Sequence, residues 1–507
     1  MEPYALIGGA DPFAASMKLV TALVAELQAP EAAGLTGYQL EQFVAGRGRE
    51  VQQQMVQDHL DLRAAREEAA RQHGAAVVGA DGITRNRVET GHRRLLATLF
   101  GTVQVRRCAW RRPGAGNLYP ADAALSLSAP RHSHALARLA VQEAVRGSFE
   151  AAHAAITSRC GPVMGKRQVE QAVVNAAGDI AAFYAARVPV PCTAKTLLVI
   201  SADSKGVVMR PGALRPATAK AAARQGKMRT RLVAGEKPNR TRMATLACVY
   251  DAEPAPRRPH DVIAPPGGRH GDRKLRPGPK VRAKWLAGSA EHDPAEVIAA
   301  ASGQAEARDP ARQRTWVILA RRGRAPARPD PRRGRPPRHH DQHPDRPHPR
   351  AGIPMEGRMV PAHRRRPRSR RPGGGQALAV LAGDSARVAA DITAEADAAG
   401  LTAGQRNGAD TCVRYLTSKQ ELLRYDQALA AGWPIATGVI EGACRHLIGD
   451  RLDITGARRG PDGAEAILTL RPVISNGDFE EYWPFHLARE HQRLYPGTAQ
   501  GQYTLGA

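Results

Sequence analysis

Residues 196–203, TLLVISAD, decide how this 507-residue chain reads. Four consecutive apolar residues, Leu197 to Ile200, run toward a single acid, Asp203, which is the pattern of a buried strand ending at a sheet edge. GVVMR (206–210) follows at once, and RMATLACVYDAE (242–253) is the next strand. Between them lies a basic loop, Lys220 to Arg242, in which Glu236 is the only acid. A helix over residues 294–307 and a strand at TWVIL (315–319) complete a β-β-β-α-β order. Residues 253–290 contain APPGGRHGDRKLRPGPK and read as loop.

This order matches the start of a ribonuclease-H-like fold, a mixed sheet flanked by helices. Upstream, the period changes twice. FAASMKLVTALVAELQA (13–29) has helical apolar spacing, and Tyr38 to His73 continues as a long helix with charges of both signs, read as a solvated or paired face. RRLLATLFGTVQVRRCAWRR (93–112) reads as two short strands around Gly101. Its arginines suit phosphate contacts or the solvent face of a hairpin equally. HSHALARLAVQEAVRGSFEAAHAAITSRCG (132–161) returns to helix and stops near Gly161, and a second helix spans about 166–184. Helix, short glycine turn, helix is the outline of a helix-turn-helix, although any two packed helices share it.

Charge points to a polyanion partner. Lys plus Arg is 74 against 48 acids, a net of +26. Half of that excess sits in residues 321–375, with 17 Arg, no Lys and four acids. The candidate phosphate contacts are Lys166 and Arg167 at the start of the second helix, Lys220, Arg224, Lys227, Arg229 and Arg231 of the basic loop, and Arg445. No run of about 18 apolar residues would span a bilayer, so no membrane partner is expected. The N-terminus MEPYALIGGADPF lacks the basic-then-apolar pattern of a secretory signal. Six scattered cysteines form no CxxC pair, which argues against a zinc ribbon or a disulfide framework and suits a cytoplasmic, nucleoid-associated protein.

Two acids carry the chemistry. Asp203 by itself is more often a turn former or cap than a catalytic acid. Glu441, in TGVIEGACRHLIGDRLDITGARRG, shares a helix with Arg445 and His446 and by itself suits a paired structural acid. Together they have the form of a metal-dependent phosphoryl-transfer site, in which carboxylates from separate elements converge on hard cations. Such a site requires one more carboxylate, usually at the end of the fourth strand.

The chain resembles bacterial insertion-sequence transposases of the DDE type, in particular the ISKra group. The resemblance covers most of the chain. It rests on HRRLLATLFGTVQVRR (92–107), VRGSFEAAHAAI (145–156) with GKRQVEQAV (165–173), LLVISADSKGVVM (197–209) and PIATGVIEGACRHLIGDRLDITGAR (434–458). It implies a ribonuclease-H-like catalytic domain using Mg²⁺ or Mn²⁺, with Asp203 as the first acid and Glu441 as the last. It further implies double-stranded DNA as partner, bound at the element's terminal repeats, and a homo-oligomer working on that DNA.

The middle acid is missing. In the family, the strand corresponding to TWVIL ends on an Asp; here Arg321 stands in that place, and RRGRAPARPDPRRGRPPRHH follows. Residues 321–375 hold 12 Pro, 17 Arg and 5 His, with Ile353, Met355, Met359 and Val360 the only large apolar residues. Such a segment buries too little to offset its ordering entropy and is expected to be disordered. GC-rich DNA read in a wrong frame has this bias toward Arg, Pro, Gly and Ala, and the bias begins inside a strand. The chain therefore reads as an inactivated copy; a genuine arginine-rich DNA-binding linker is the rival account, and a non-catalytic DNA-binding protein the alternative function. A metal-dependent nuclease unrelated to transposition ranks third. Pro472 and Pro484 also fall in helical runs, where each costs about 3 kcal/mol or more. The expected organisation is a helical region 1–90, a hairpin and helix-turn-helix-like region 91–190, the first half of the catalytic domain 191–320, the disordered segment 321–375, and a helical second half 376–507.

Overall fold

A computed structural model describes residues 11–70, 76–188, 195–224, 241–263, 275–320, 352–354, 373–453 and 460–496. The chain divides into two units, Met1–Ala185 with Asp478–Ala507, and Ala186–Gly477.

In the first unit, α1 (Ala14–Gln28) leads through the short α2 (Pro30–Ala33) into the 34-residue α3 (Gly37–Ala70). Pro30 opens α2, where a missing N–H costs nothing. α1 folds back on α3: the Ser16 hydroxyl and amide donate to the buried Asp58 at 2.6 and 3.0 Å, and Arg47 reaches Glu26 at 2.9 Å. A two-stranded pair, β1 (Val77–Val78) and β2 (Thr84–Arg85), precedes the hairpin of β3 (Arg87–Ala97) and β4 (Thr102–Arg111). The free edge of β4 is covered by side chains of α3. Gln53 donates to Thr102 O at 2.7 Å, Gln57 both donates to Gln104 O and accepts its N–H, and Glu67 accepts from the Cys108 N–H at 2.9 Å. A helix thus satisfies the alternate backbone groups that a third strand would pair.

After α4 (Pro120–Ala124) come α5 (His134–Arg146), α6 (Phe149–Cys160), α7 (Lys166–Ala177) and α8 (Ile180–Ala186). Leu136, Val141, Ile156, Val169 and Val173 are fully buried among α5, α6 and α7. The expected continuous helix over 132–160 is two helices. Gly147 ends the first, and the Ser148 hydroxyl accepts the Ala151 N–H at 3.0 Å to start the second. Gly161, at φ +80°, makes the turn into α7.

The second unit is built on a mixed sheet of order β7-β6-β5-β8-β9. β5 (Leu197–Val208) pairs antiparallel with β6 (Thr241–Ala252), and β6 antiparallel with β7 (Val281–Ser289). β8 (Trp316–Ala320) pairs parallel with β5, and β9 (Gly352–Pro354) parallel with β8. α9 (Pro216–Arg224) and α10 (Pro259–Val262) are insertions, and α11 (Pro294–Arg308) crosses from β7 to β8, packing on β5, β6 and β7. Then α12 (Gly373–Leu381), α13 (Ser385–Ala398), α14 (Ala403–Ser418) and α15 (Tyr425–Ala430) form a helical cluster around Leu381, Val388, Leu416, Tyr425 and Leu429. α16 (Gly438–Ala443) passes through a π-helical turn, Cys444–Gly449, into α17 (Asp450–Leu452); α18 (Pro461–Ser475) closes the unit against β7. α19 (Phe479–Leu494) belongs to the first unit, where His486 and Arg493 hold the buried Asp179 at 2.7 Å each.

Several expectations are corrected. TLLVISAD and GVVMR are one strand, so Asp203 lies within β5 instead of at a strand end. The loop expected over 253–290 contains β7. Its first four residues are exposed and polar enough to mask the strand, but pairing with β6 and the Asn476 amide, which bonds both backbone groups of Leu286, hold it extended. The β-β-β-α-β order therefore stands with different strands filling it. The boundary expected at 90/91 cuts β3, and 376–507 is not one piece, since Asp478–Ala507 joins the first unit. Within 321–375, residues 352–354 are strand and α12 opens at Gly373; the remainder lies outside the described residues. α18 and α19 run through Pro472 and Pro484 because burial of the helix faces outweighs one lost bond.

Candidate functional site

Asp203 sits midway along β5, the strand with β6 on one side and β8 on the other. Register with β6 is continuous from Leu197↔Ala252 to Val208↔Thr241, so side chains alternate strictly and Asp203 shares a face with Lys205. Asp203 is half-buried; its Oδ1 accepts the Ser204 N–H at 2.8 Å. Ser204, on the opposite face, meets Thr245 hydroxyl to hydroxyl at 3.0 Å, which pins the pairing.

Lys205 identifies what covers the Asp203 face. Its Nζ lies 3.3 Å from Asp453 Oδ2, and a Cβ at Gly449 would stand 2.9 Å from that same nitrogen. The π-helical turn packs on β5, and α16 packs on both β5 and β6. The segment bearing Glu441 therefore lies over the sheet face that carries Asp203. Within it, Ile440, Leu447 and Ile448 are buried, while Glu441 and Arg445 are exposed. The Thr437 hydroxyl donates to Glu441 Oε1 at 2.8 Å and fixes that carboxylate at the start of the helix.

The helical run that carries Glu441, Arg445 and His446 widens into a π turn at Cys444–Gly449. The wide turn leaves the His446 carbonyl to a side chain: Arg471 Nη2 donates to it at 2.7 Å. Burial pushes the Arg471 guanidinium pKa down, with Asp450 acting against it.

A buried network anchors the start of β8. Asp309 accepts from Trp316 Nε1 at 2.9 Å and from the N–H groups of Gln313 and Arg314; Arg314 lies 3.3 Å from Asp251. Burial works against ionisation of Asp309, yet these donors hold its pKa below the usual carboxylate range. The register so fixed puts Ala320 beside Ala202, one residue short of Asp203. The next residue, Arg321, lies outside the described residues. Among the described residues, no three His, Cys, Asp or Glu side chains stand close enough together to hold a metal ion.

Lys166 and Arg167 open α7 on the exposed surface of the first unit, and Lys166 pairs with Glu150 at 2.5 Å. Lys220 and Arg224 fall in α9, so the basic stretch begins as helix instead of loop. Lys227, Arg229 and Arg231 lie outside the described residues. The structure thus packs the helical segment that bears Glu441 and Arg445 on β5, the strand that bears Asp203. Sequence reasoning gave no role to Lys205 or Arg471, whose partners are distant in the chain. The described cysteines, Cys108, Cys160, Cys248, Cys412 and Cys444, are free thiols. No described helix is long and apolar enough to cross a membrane. Compared with models of known protein families, the chain matches none, and it matches no curated protein.

Proposed function

We propose that this chain is a DDE-type transposase of an insertion sequence, in an inactivated copy that lacks the middle acid. One observation carries the reading: Asp203, on the inner strand of a β7-β6-β5-β8 sheet, faces the helical segment that bears Glu441. Three antiparallel strands followed by a helix and a parallel fourth are the order of a ribonuclease-H-like domain, which this reading adopts for the second unit.

In the parent enzyme, Asp203 and Glu441 would be ligands for Mg²⁺ or Mn²⁺, and water or a DNA 3′-hydroxyl would attack phosphorus. The side chains present do not complete that set. Two ions need carboxylates on both sides, and among the described residues no three His, Cys, Asp or Glu side chains gather closely enough to hold a metal ion. No metal-assisted step is therefore assigned to the chain as it stands. Lys166, Arg167, Lys220 and Arg445, all exposed, suit phosphate contacts with double-stranded DNA.

The missing third acid favours one second reading, a non-catalytic DNA-binding protein. Both are tested with two chains: this one, and one in which 321–375 is replaced by the translation of the alternative frame. This chain is expected to bind DNA without cutting it. The repaired chain should cut and join element-end DNA only with Mg²⁺ or Mn²⁺. Binding without cutting by the repaired chain establishes the second reading, and cutting without joining makes it a nuclease.

A further inference from the structure

A cleft of about 570 Å³ in the first unit lies between α3, the turn joining β3 to β4, α5 and the end of α6. Its size is that of small-ligand sites, roughly 300–1,000 Å³. The lining sets one aromatic ring, Phe100, among three guanidinium groups, Arg49, Arg138 and Arg159.

The turn that presents Phe100 is held on all sides. The Thr98 N–H and hydroxyl both donate to Gly101 O at 2.8 Å, the Phe100 N–H donates to Thr98 Oγ1 at 3.2 Å, and Gln53 of α3 grips Thr102 O. Gly101 has φ +143°, and a Cβ there would stand 2.5 Å from Gln53 Oε1, so the turn admits glycine alone. The ring is nonetheless only half-buried. A hydrophobic ring that lines a cleft from a pinned turn, instead of lying in the core, is placed to stack on something.

The cations around it differ in freedom. Arg138 is oriented by Glu480 at 2.6 Å and Arg159 by Glu143 at 2.8 Å. Arg49 is half-buried and, among the described residues, has neither an ion pair nor a side-chain hydrogen bond. A flat, anionic ligand satisfies both ring and cation. The geometry points to a subsite for one unpaired DNA nucleotide, its base against Phe100 and Leu99 and its phosphate on Arg49 and Arg159. This rests on the DNA-binding part of the proposed function and is independent of the catalytic part. A base paired within a duplex keeps its faces against its neighbours, so only an unpaired nucleotide can stack here.

The test uses the full chain in EDTA with three probes, fluorescein-labelled dT12, fluorescein-labelled rU12 and a blunt 12-base-pair duplex. Phe100→Ala should weaken dT12 binding about tenfold, in line with the loss of one base–aromatic stack, and leave the duplex within twofold. Arg49→Gln should weaken dT12 and make its salt dependence shallower by about 0.7 in log–log slope. Phe100→Trp should keep the affinity and add tryptophan quenching by dT12 that the parent chain lacks; this decides the matter if the alanine variant melts early. Unchanged dT12 affinity in Phe100→Ala and Arg49→Gln, or equal losses on dT12 and duplex, overturns the inference while leaving DNA binding in place. Tighter binding of rU12 than dT12 overturns it in favour of RNA. Failure of every DNA probe to bind removes the proposed function with it.

Discussion

Glu67 offers a quantitative test of how α3 docks on β4. Its carboxylate is 1% exposed; Oε2 accepts the Cys108 N–H at 2.9 Å, and Oε1 has no hydrogen-bond partner among the described residues. Burial pushes its pKa from 4.5 up to about 7, with the Cys108 N–H pulling the other way, Glu68 adding to the rise, and Arg107 and Arg63 opposing it. The sign follows from linkage. Below about pH 4.5 both folded and unfolded chains hold the proton. Between 4.5 and 7 only the unfolded chain releases it, so stability falls as pH rises; above 7 the loss is constant. At about 1.36 kcal/mol per pH unit, the gap amounts to roughly 3 kcal/mol. Glu67→Gln keeps an oxygen for the Cys108 N–H and cannot ionise. The variant should gain about 2–3 kcal/mol relative to the parent on going from pH 5 to pH 8. For a unit of this size that is roughly 5–10 °C in Tm. Thermal melts of the full chain at both pH values measure it, and hydrogen exchange of the Cys108 amide reports the same contact locally. An equal effect of the substitution at pH 5 and pH 8 would refute the reasoning, as would a greater destabilisation at pH 8.

Three further outcomes are expected. In the repaired chain, Asp203→Asn should abolish cleavage and leave DNA binding intact; losing both would make Asp203 a structural residue of β5. Binding of duplex DNA should weaken steeply with salt, at a log–log slope near −5 for about six phosphates, and Lys166→Ala with Arg167→Ala should reduce that slope by about 2; a flat response contradicts phosphate contacts. The DNA between codons 315 and 380, read in its other two frames, should continue TWVIL into an acid near position 321 and an amphipathic helix rejoining QALAVLAG; if neither frame does, residues 321–375 are a genuine basic linker.

Local patterns were legible wherever one short stretch contained the whole physical reason. Leu197 to Ile200 mark a buried strand because four consecutive apolar residues need cover on both faces, and all four are buried. Gly101 marks the hairpin because its φ of +143° excludes other residues. The helices between residues 12 and 70 and the turn at Gly161 were readable in this way. What was not legible depended on partners far along the chain. β7 is a strand because β6 and Asn476 bond its backbone, and nothing within VRAKWLAGS announces that. The π turn exists with Arg471 bonded to the His446 carbonyl, 25 residues away. The edge of β4 is closed by Gln53, Gln57 and Glu67 across more than 40 residues, which is also why Glu67, a helix-surface acid by its spacing, is buried with a raised pKa. Sequence by itself determined which residues carry charge, strain or apolar surface, because those are properties of single side chains and short windows. Only the tertiary structure decided which of them share a face, because strand order, register and helix docking are settled by contacts between distant segments.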